Sequence, residues 1–280
     1  MTSALVSTAW LHDHLQSPDV RIVDATYCLP HLGRNPKAEF EDAHIPGAVF
    51  FDIDDVADDK NPLPHMVPSA AKFAARVRRM GLGDGSRIVV YDSNRFCASA
   101  RVWWMFRLFG HPDVTVLDGG LAKWQAEGRP LDDFARVPTE RHFTARQNTL
   151  LLRELDQMRR NLTGKAEQVV DARSAGRFAG VEPEPREGLR PGHIPGSRNL
   201  PFDRLIDPQT HTLLEKEALA QAFAEAGVDI HQPIATTCGS GVSAAVLNLA
   251  LYELGRGEVA LYDGSWTEWG GQPDTPVAMA

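Results

Sequence analysis

Three cysteines stand in the 280-residue chain, Cys28, Cys97 and Cys238, and the third has a setting that can make a thiol react. Residues 236–255 read TTCGSGVSAAVLNLALYELG: Cys238 closes a short apolar run, Gly239, Ser240 and Gly241 follow, and a helical pattern begins at Val242. A turn of small residues between a strand and a helix lets successive backbone N–H groups curl inward. With the helix N-terminus they make a cradle that holds an anion. The thiolate is the nucleophilic form of cysteine, so the cradle favours nucleophilic chemistry at Cys238. The plain alternative is a glycine turn beside a packed thiol, but glycine on both sides of Ser240 forfeits packing unless the backbone must bend there. Ser243 puts a hydroxyl at the helix start, where it can cap backbone N–H groups and face the sulfur.

The elements that must position this loop alternate. QPIATT (232–237) reads as a buried strand, VSAAVLNLALYEL (242–254) as a helix closed by Gly255, and GEVALYDG (257–264) as the next strand. Reactive groups of open α/β sheets sit where loops leave the carboxyl ends of strands, which is the place of Cys238. The pattern also occurs earlier, as strand SRIVVYD (86–92), helix ASARVWWMFRLFG (98–110) and strand DVTVLDGG (113–120). VRIVDATY (20–27) returns as EQVVDARS (167–174), HIPG at 44–47 returns at 193–196, and VLDGGLAKW (116–124) returns as LYDGSWTEW (261–269). Asp24, His44 and Asp118 thus recur as Asp171, His193 and Asp263 at offsets of 147, 149 and 145 residues. A near-constant offset of that length means two copies of one α/β domain, each with its own core and a parallel sheet covered on both faces. The expected division is a first domain over 1–135, a polar, proline-marked linker over 136–148, and a second domain over 149–280.

A hydrophobic content of 43% and a charged content of 24% are those of a folded globular chain. The formal net charge of −8 argues against nucleic acid or an anionic membrane as partner and leaves small molecules as the expected substrates. The N-terminus lacks a basic start and an unbroken apolar core, and no run approaches the roughly 20 apolar residues of a membrane span, so a cytoplasmic protein is expected. An odd number of cysteines without a C-x-x-C pair predicts neither disulfides nor structural zinc, and no metal or other cofactor is expected.

The paired domains, the recurring HIPG, the recurring DGG/DGS followed by Trp, and the loop CGSGV together resemble the two-domain rhodanese (sulfurtransferase) family, and within it the 3-mercaptopyruvate sulfurtransferase branch. The resemblance covers nearly the whole chain and implies two tandem rhodanese-like domains. It implies that Cys238 takes sulfur from a donor, holds it as a persulfide, and passes it to a thiophilic acceptor such as a thiol, thioredoxin or cyanide. Phosphatases of this fold carry an Arg six residues after their cysteine, whereas position 244 is Ala here. Thiosulfate-using members have basic residues after the cysteine; the neutral Gly239 and Ser240 match the mercaptopyruvate form. Its carboxylate is then expected at Arg177 and Arg186 in GRFAGVEPEPREG (176–188), with Gly239, Gly241, Val242 and Ser243 lining the donor. A guanidinium fork suits a 2-oxo acid because it can hold carboxylate and carbonyl oxygens at once. The resemblance also implies a proton relay of Ser240, His65 and Asp54 for the departing enolate.

Aligning the two helices puts Asn94 opposite Cys238, so the first copy is expected to be non-catalytic, with Cys97 a packed thiol, and to lend His65 and Asp54. His44 and His193 of the HIPG turns are expected to tie down turn backbone. Two other functions fit the chain: a thiosulfate:cyanide sulfurtransferase using Arg177 or Arg186 for its dianion, and a non-catalytic rhodanese-type binding module.

Overall fold

A computed structural model describes residues 2–29, 32–134 and 137–279. Its first half runs β1 (Leu5–Val6), α1 (Thr8–Asp13), β2 (Val20–Asp24), α2 (Pro36–Asp42), β3 (Val49–Phe50), α3 (Ile53–Val56), α4 (Ala70–Arg79), β4 (Arg87–Tyr91), α5 (Cys97–Leu108), β5 (Val114–Leu117) and α6 (Gly120–Ala126). Its second half runs β6 (Leu152–Arg153), α7 (Leu155–Gly164), β7 (Gln168–Asp171), α8 (Ala175–Ala179), β8 (Arg198–Asn199), α9 (Lys216–Glu225), β9 (Ile234–Thr237), α10 (Ala244–Glu253), β10 (Ala260–Tyr262) and α11 (Ser265–Trp269). Each half builds a five-stranded sheet, in the orders β1-β5-β4-β2-β3 and β6-β10-β9-β7-β8, with every pairing parallel.

The strand sequences account for this. In β4, Ile88 and Val90 enter one hydrophobic cluster while Val89 and Tyr91 enter another on the opposite face, as the two-residue period requires of a strand buried on both sides. The first of these clusters runs on into the second half of the chain, because α5 and α10 pack against each other. Both helices are buried nearly all round, which explains why their sequences are apolar without a polar face. They end where expected, at Gly110 and Gly255, with φ of +85° and +86°. Among the described residues no helix is long and apolar enough to cross a membrane.

The boundary expected between residues 135 and 136 lies outside the described residues. Beyond it the polar segment lies along the first half: the N–H groups of Arg146 and Asn148 donate to the carbonyls of Phe109 and Leu108, and Phe143 is buried. In the HIPG turns, His44 Nδ1 donates to the Phe40 carbonyl at 2.7 Å and His193 Nδ1 to that of Phe178 at 2.9 Å, each ring stacking on the same phenylalanine. Each imidazole thus ties its turn to the helix before it.

Candidate active site

Cys238 is the first residue after β9 and is 2% exposed. Its N–H donates to Ser265 Oγ at 3.2 Å, and its carbonyl accepts the Trp266 N–H at 2.9 Å. The Gly239 carbonyl accepts the Thr267 N–H at 2.8 Å and the Thr267 hydroxyl at 2.6 Å. These carbonyls are therefore turned onto α11. Among the described residues, no backbone N–H from Gly239 to Ser243 is bonded to another protein atom. Ser243 differs from expectation: it occupies the N-cap of α10 but makes no capping bond. Its backbone is already helical, at φ −70° and ψ −18°, whereas a capping side chain needs the extended conformation to reach the first turn. The N–H groups of Ala245 and Val246 in the first turn donate instead to the carbonyls of Val242 and Ser243, at 3.2 and 3.1 Å.

The loop needs its glycines for identifiable reasons. Gly241 sits at φ +76°, where a Cβ would also lie 2.8 Å from the Asp263 carbonyl oxygen. A Cβ on Gly239 would lie 2.9 Å from Nη2 of Arg177, which places that guanidinium over the cysteine loop. Arg177 is held there by Glu184 at 2.5 Å, and the same carboxylate, 3% exposed, also takes Arg173 at 2.7 Å.

Asp54 at the start of α3 and His65 in the loop before α4 face each other, Nδ1 to Oδ1 at 2.6 Å. This bond, with the nearby Arg186 charge assisting and burial opposing, holds the Asp54 carboxyl below the ordinary range. Arg186 approaches from the other half of the chain, Nη2 to His65 Nε2 at 3.2 Å. A guanidinium only donates, so Nε2 must be the acceptor and Nδ1 carries the ring proton toward Asp54. No hydrogen bond joins Ser240 to His65 among the described residues, although Ser240 is 8% and His65 6% exposed. The structure thus unites Asp54, His65 and Arg186 in one contact chain, and Cys238, Gly239, Arg177 and Glu184 in another.

A family model for the rhodanese-like domain matches residues 7–127 and again 154–272. The chain is a two-domain rhodanese. It is 42% identical over 274 residues to the human 3-mercaptopyruvate sulfurtransferase, covering 95% of this chain and 91% of that one. It is 41% identical to the Arabidopsis thaliana thiosulfate/3-mercaptopyruvate sulfurtransferase 1, mitochondrial, over 98% of this chain and 77% of the relative. Among solved structures it superposes on that of SseA, a 3-mercaptopyruvate sulfotransferase from Escherichia coli, with a TM-score of 0.87 and 38% identity, covering 95% of this chain and 99% of the other.

The two rhodanese domains use the same loop differently. Counted from the strands, Tyr91 pairs with Asp24 as Thr237 pairs with Asp171, so Asp92, not Asn94, occupies the place of Cys238. The Asp92 carbonyl accepts the Leu121 N–H as that of Cys238 accepts the Trp266 N–H. The second helix starts at Ala244, two residues after the Val242 from which its pattern was read, which is why alignment from the helix missed the match. The Asp92 side chain fills its own cradle: Oδ1 accepts the N–H groups of Asn94 and Phe96 at 3.0 and 3.1 Å, and Oδ2 those of Ala98 and Ser99 at 3.0 and 2.7 Å. Burial and the Asp92 charge push the Cys97 thiol well up, so it is held as a thiol. Cys28, on the loop after β2, is likewise pushed up by burial.

Four further side chains belong to this rhodanese site and were not singled out for it from the sequence. Tyr27 packs edge-on against His65, ring centroids 4.8 Å apart, and burial together with the Asp54 charge pushes its hydroxyl up to about 12 against the pull of Arg186. Glu184 aims Arg177, and Ser265, at φ +50°, fixes the Cys238 N–H. Arg101 reaches Gly241 and His65 together. Ser265 alone had a local signal, as the Ser of the repeated DGS against the first copy's DGG.

Proposed function

We propose that this rhodanese moves the sulfur of 3-mercaptopyruvate, through a Cys238 persulfide, to a thiophilic acceptor, releasing pyruvate. The observation that carries the reading is the set of unbonded N–H groups from Gly239 to Ser243 beside a buried cysteine. The relatives' names point to the same chemistry.

The donor carboxylate is recognised by Arg186 and Arg177, a doubly donating pair suited to a 2-oxo acid. Taking up Arg186 draws it from His65 and frees the Nε2 lone pair for the Ser240 hydroxyl. The Cys238 thiolate attacks the donor sulfur; the S–S bond forms, the C–S bond breaks, and its electron pair goes to carbon as the pyruvate enolate. The proton of the donor thiol passes through the Ser240 hydroxyl to His65 Nε2, where Asp54 holds the resulting imidazolium, and returns through Ser240 to the enolate carbon, leaving pyruvate and a persulfide anion. The persulfide anion lies among the free N–H groups, where fixed donors stabilise charge without reorganising. A thiolate, from thioredoxin or a small thiol, or cyanide then attacks the outer sulfur, and the S–S electron pair returns to Cys238. The first domain supplies His65 and Asp54 but no nucleophile.

One observation favours thiosulfate as a second donor: the Arg177 guanidinium over Gly239 puts positive charge where a dianion would lie, and the Arabidopsis relative is named for both donors. The test is mass spectrometry of the intact protein after each donor, with pyruvate release followed in parallel. Gain of one sulfur atom on Cys238, faster with 3-mercaptopyruvate, is expected. No gain with either donor would make the chain a binding module, and a faster gain with thiosulfate would reverse the order of donors.

A further inference from the structure

Arg101 belongs to α5 of the first domain, yet its guanidinium ends beside the second domain's cysteine loop. Nη2 donates to the His65 carbonyl at 2.7 Å and to Asp263 Oδ1 at 2.7 Å, and Nη1 donates to the Gly241 carbonyl at 3.2 Å. The other Asp263 oxygen accepts the Val67 N–H at 2.7 Å. Arg101 is 1% exposed and Asp263 4%, and the guanidinium lies over the Trp104 ring at 4.6 Å.

The pair breaks the symmetry of the two halves. Asp118, the counterpart of Asp263, accepts the Leu213 N–H at 2.9 Å, as Asp263 accepts that of Val67, so each aspartate braces a loop of the opposite domain. No arginine joins Asp118 among the described residues, and α10 carries no basic residue to match Arg101. A buried ion pair gains little net stability once both charges are desolvated, so its presence on the cysteine side alone points to placement. What it places is in an uncommon conformation. His65 has φ +61°, a left-handed conformation unfavourable for a non-glycine residue, and Arg101 and Asp263 grip the backbone on either side of the Met66 that follows. Gly241 also has positive φ, and a Cβ there would lie 3.2 Å from Arg101 Nη1.

We propose that Arg101, together with Asp263, is a positioning residue that fixes the His65 imidazole relative to the Cys238 loop across the domain boundary, so that proton transfer through Ser240 keeps pace with sulfur transfer. This rests on the reading of His65 as proton carrier in the function proposed above.

The experiment is a double-mutant cycle on the full chain with 3-mercaptopyruvate as donor, combining Arg101→Met or Arg101→Lys with His65→Ala. Arg101→Met keeps the bulk and removes the fork; kcat should fall by roughly 10-fold or more with KM changed by less than about 3-fold, and that fall should vanish in the His65→Ala background. Arg101→Lys keeps charge against Asp263 but cannot span a carboxylate and two carbonyls, so it should show the same dependence on His65 while unfolding near the parent temperature. If the Met variant does not fold, the Lys variant decides. An equal loss with and without His65, or parental kcat in a folded Arg101→Lys protein, overturns the proposal. Parental kcat in His65→Ala alone would instead remove the relay reading on which it stands.

Discussion

Removing Arg186 and removing Arg177 should have different consequences, because the free protein engages them differently. Arg186 gives a 3.2 Å bond to a neutral imidazole nitrogen, so Arg186→Ala leaves no buried charge unpaired and should barely move the unfolding temperature. In the proposed function it also removes a charge-assisted bond to the donor carboxylate, about 1.5–3 kcal/mol, or roughly a 10- to 150-fold loss in kcat/KM for 3-mercaptopyruvate. Arg177 gives Nη2 and Nε to Glu184 at 2.5 and 3.2 Å, and Glu184 is 3% exposed. Arg177→Ala should therefore cost catalysis by a similar factor and also leave Glu184 with Arg173 as its remaining partner. Because Arg177 is itself 22% exposed, that loss is nearer 1–2 kcal/mol than the 3–5 kcal/mol of a fully buried pair, or a lowering of about 2–8 °C. Adding Glu184→Gln should restore most of the thermal stability and none of the catalysis. The assays are pyruvate release under steady-state conditions and thermal unfolding of the same samples. Unchanged kcat/KM in Arg186→Ala, or a stability loss in Arg177→Ala that Glu184→Gln leaves untouched, would refute the assignment of Arg186 to substrate and of Glu184 to aiming Arg177.

Cys238→Ser should abolish sulfur transfer from every donor while Cys97→Ser keeps most activity, since a hydroxyl is a far poorer nucleophile toward sulfur and the Cys97 thiol is held protonated; a dead Cys97→Ser protein would reverse the roles of the two domains. Ser240→Ala should depress turnover of 3-mercaptopyruvate more than that of thiosulfate, whose sulfite product needs no proton on carbon; equal losses would reduce Ser240 to a wall of the cradle. Tyr27 should ionise near pH 12, above the ordinary phenol range. Because its folded-state value is raised, its contribution to stability is complete below about pH 10 and is lost as pH climbs from there through about 12. The difference in tyrosinate absorbance between the parent and Tyr27→Phe would show this, and a difference titrating at the ordinary value would place the hydroxyl in solvent.

What the sequence made legible was whatever is periodic or local. The apolar runs of β4 and β9, the helical runs ending at Gly110 and Gly255, and the constant offset of three motifs define two parallel-sheet domains without reference to any contact. The cysteine loop could be read because its small residues are consecutive. Arg101, Glu184 and Tyr27 could not, since each acts by reaching a residue far away in sequence: Arg101 is 162 positions from Asp263, and Tyr27 meets His65 through packing alone. The choice of Asn94 as the counterpart of Cys238 failed for a related reason, because the second helix was read from Val242 although it starts at Ala244, and strand register, not an apparent helix start, fixes where a loop leaves the sheet.

Correcting that counterpart changes how the whole site is understood. At the position of Cys238 the first domain has Asp92, and its carboxylate draws in four backbone N–H groups from the loop and the start of α5. Desolvation still lifts that carboxyl above the ordinary range, so the donors offset burial only in part. The first domain therefore shows what the strand-to-helix loop of this fold does when the anion is part of the chain: it closes around it and leaves nothing to bind. In the second domain the side chain after the strand is a single sulfur, too short to reach the donors that a carboxylate spans, and the N–H groups of Gly239 to Ser243 remain unbonded. One atom added to that sulfur extends it toward them and carries the negative charge outward. In the function proposed above, the cradle is thus matched less to the resting cysteine than to its persulfide. Replacing Cys238 with Asp tests this directly: the carboxylate should take up the loop N–H groups as Asp92 does, giving an inactive protein more stable to heat than Cys238→Ser. A Cys238→Asp protein no more stable than Cys238→Ser would mean that the second cradle is not shaped to hold an anion whose charged atoms lie two bonds beyond Cβ.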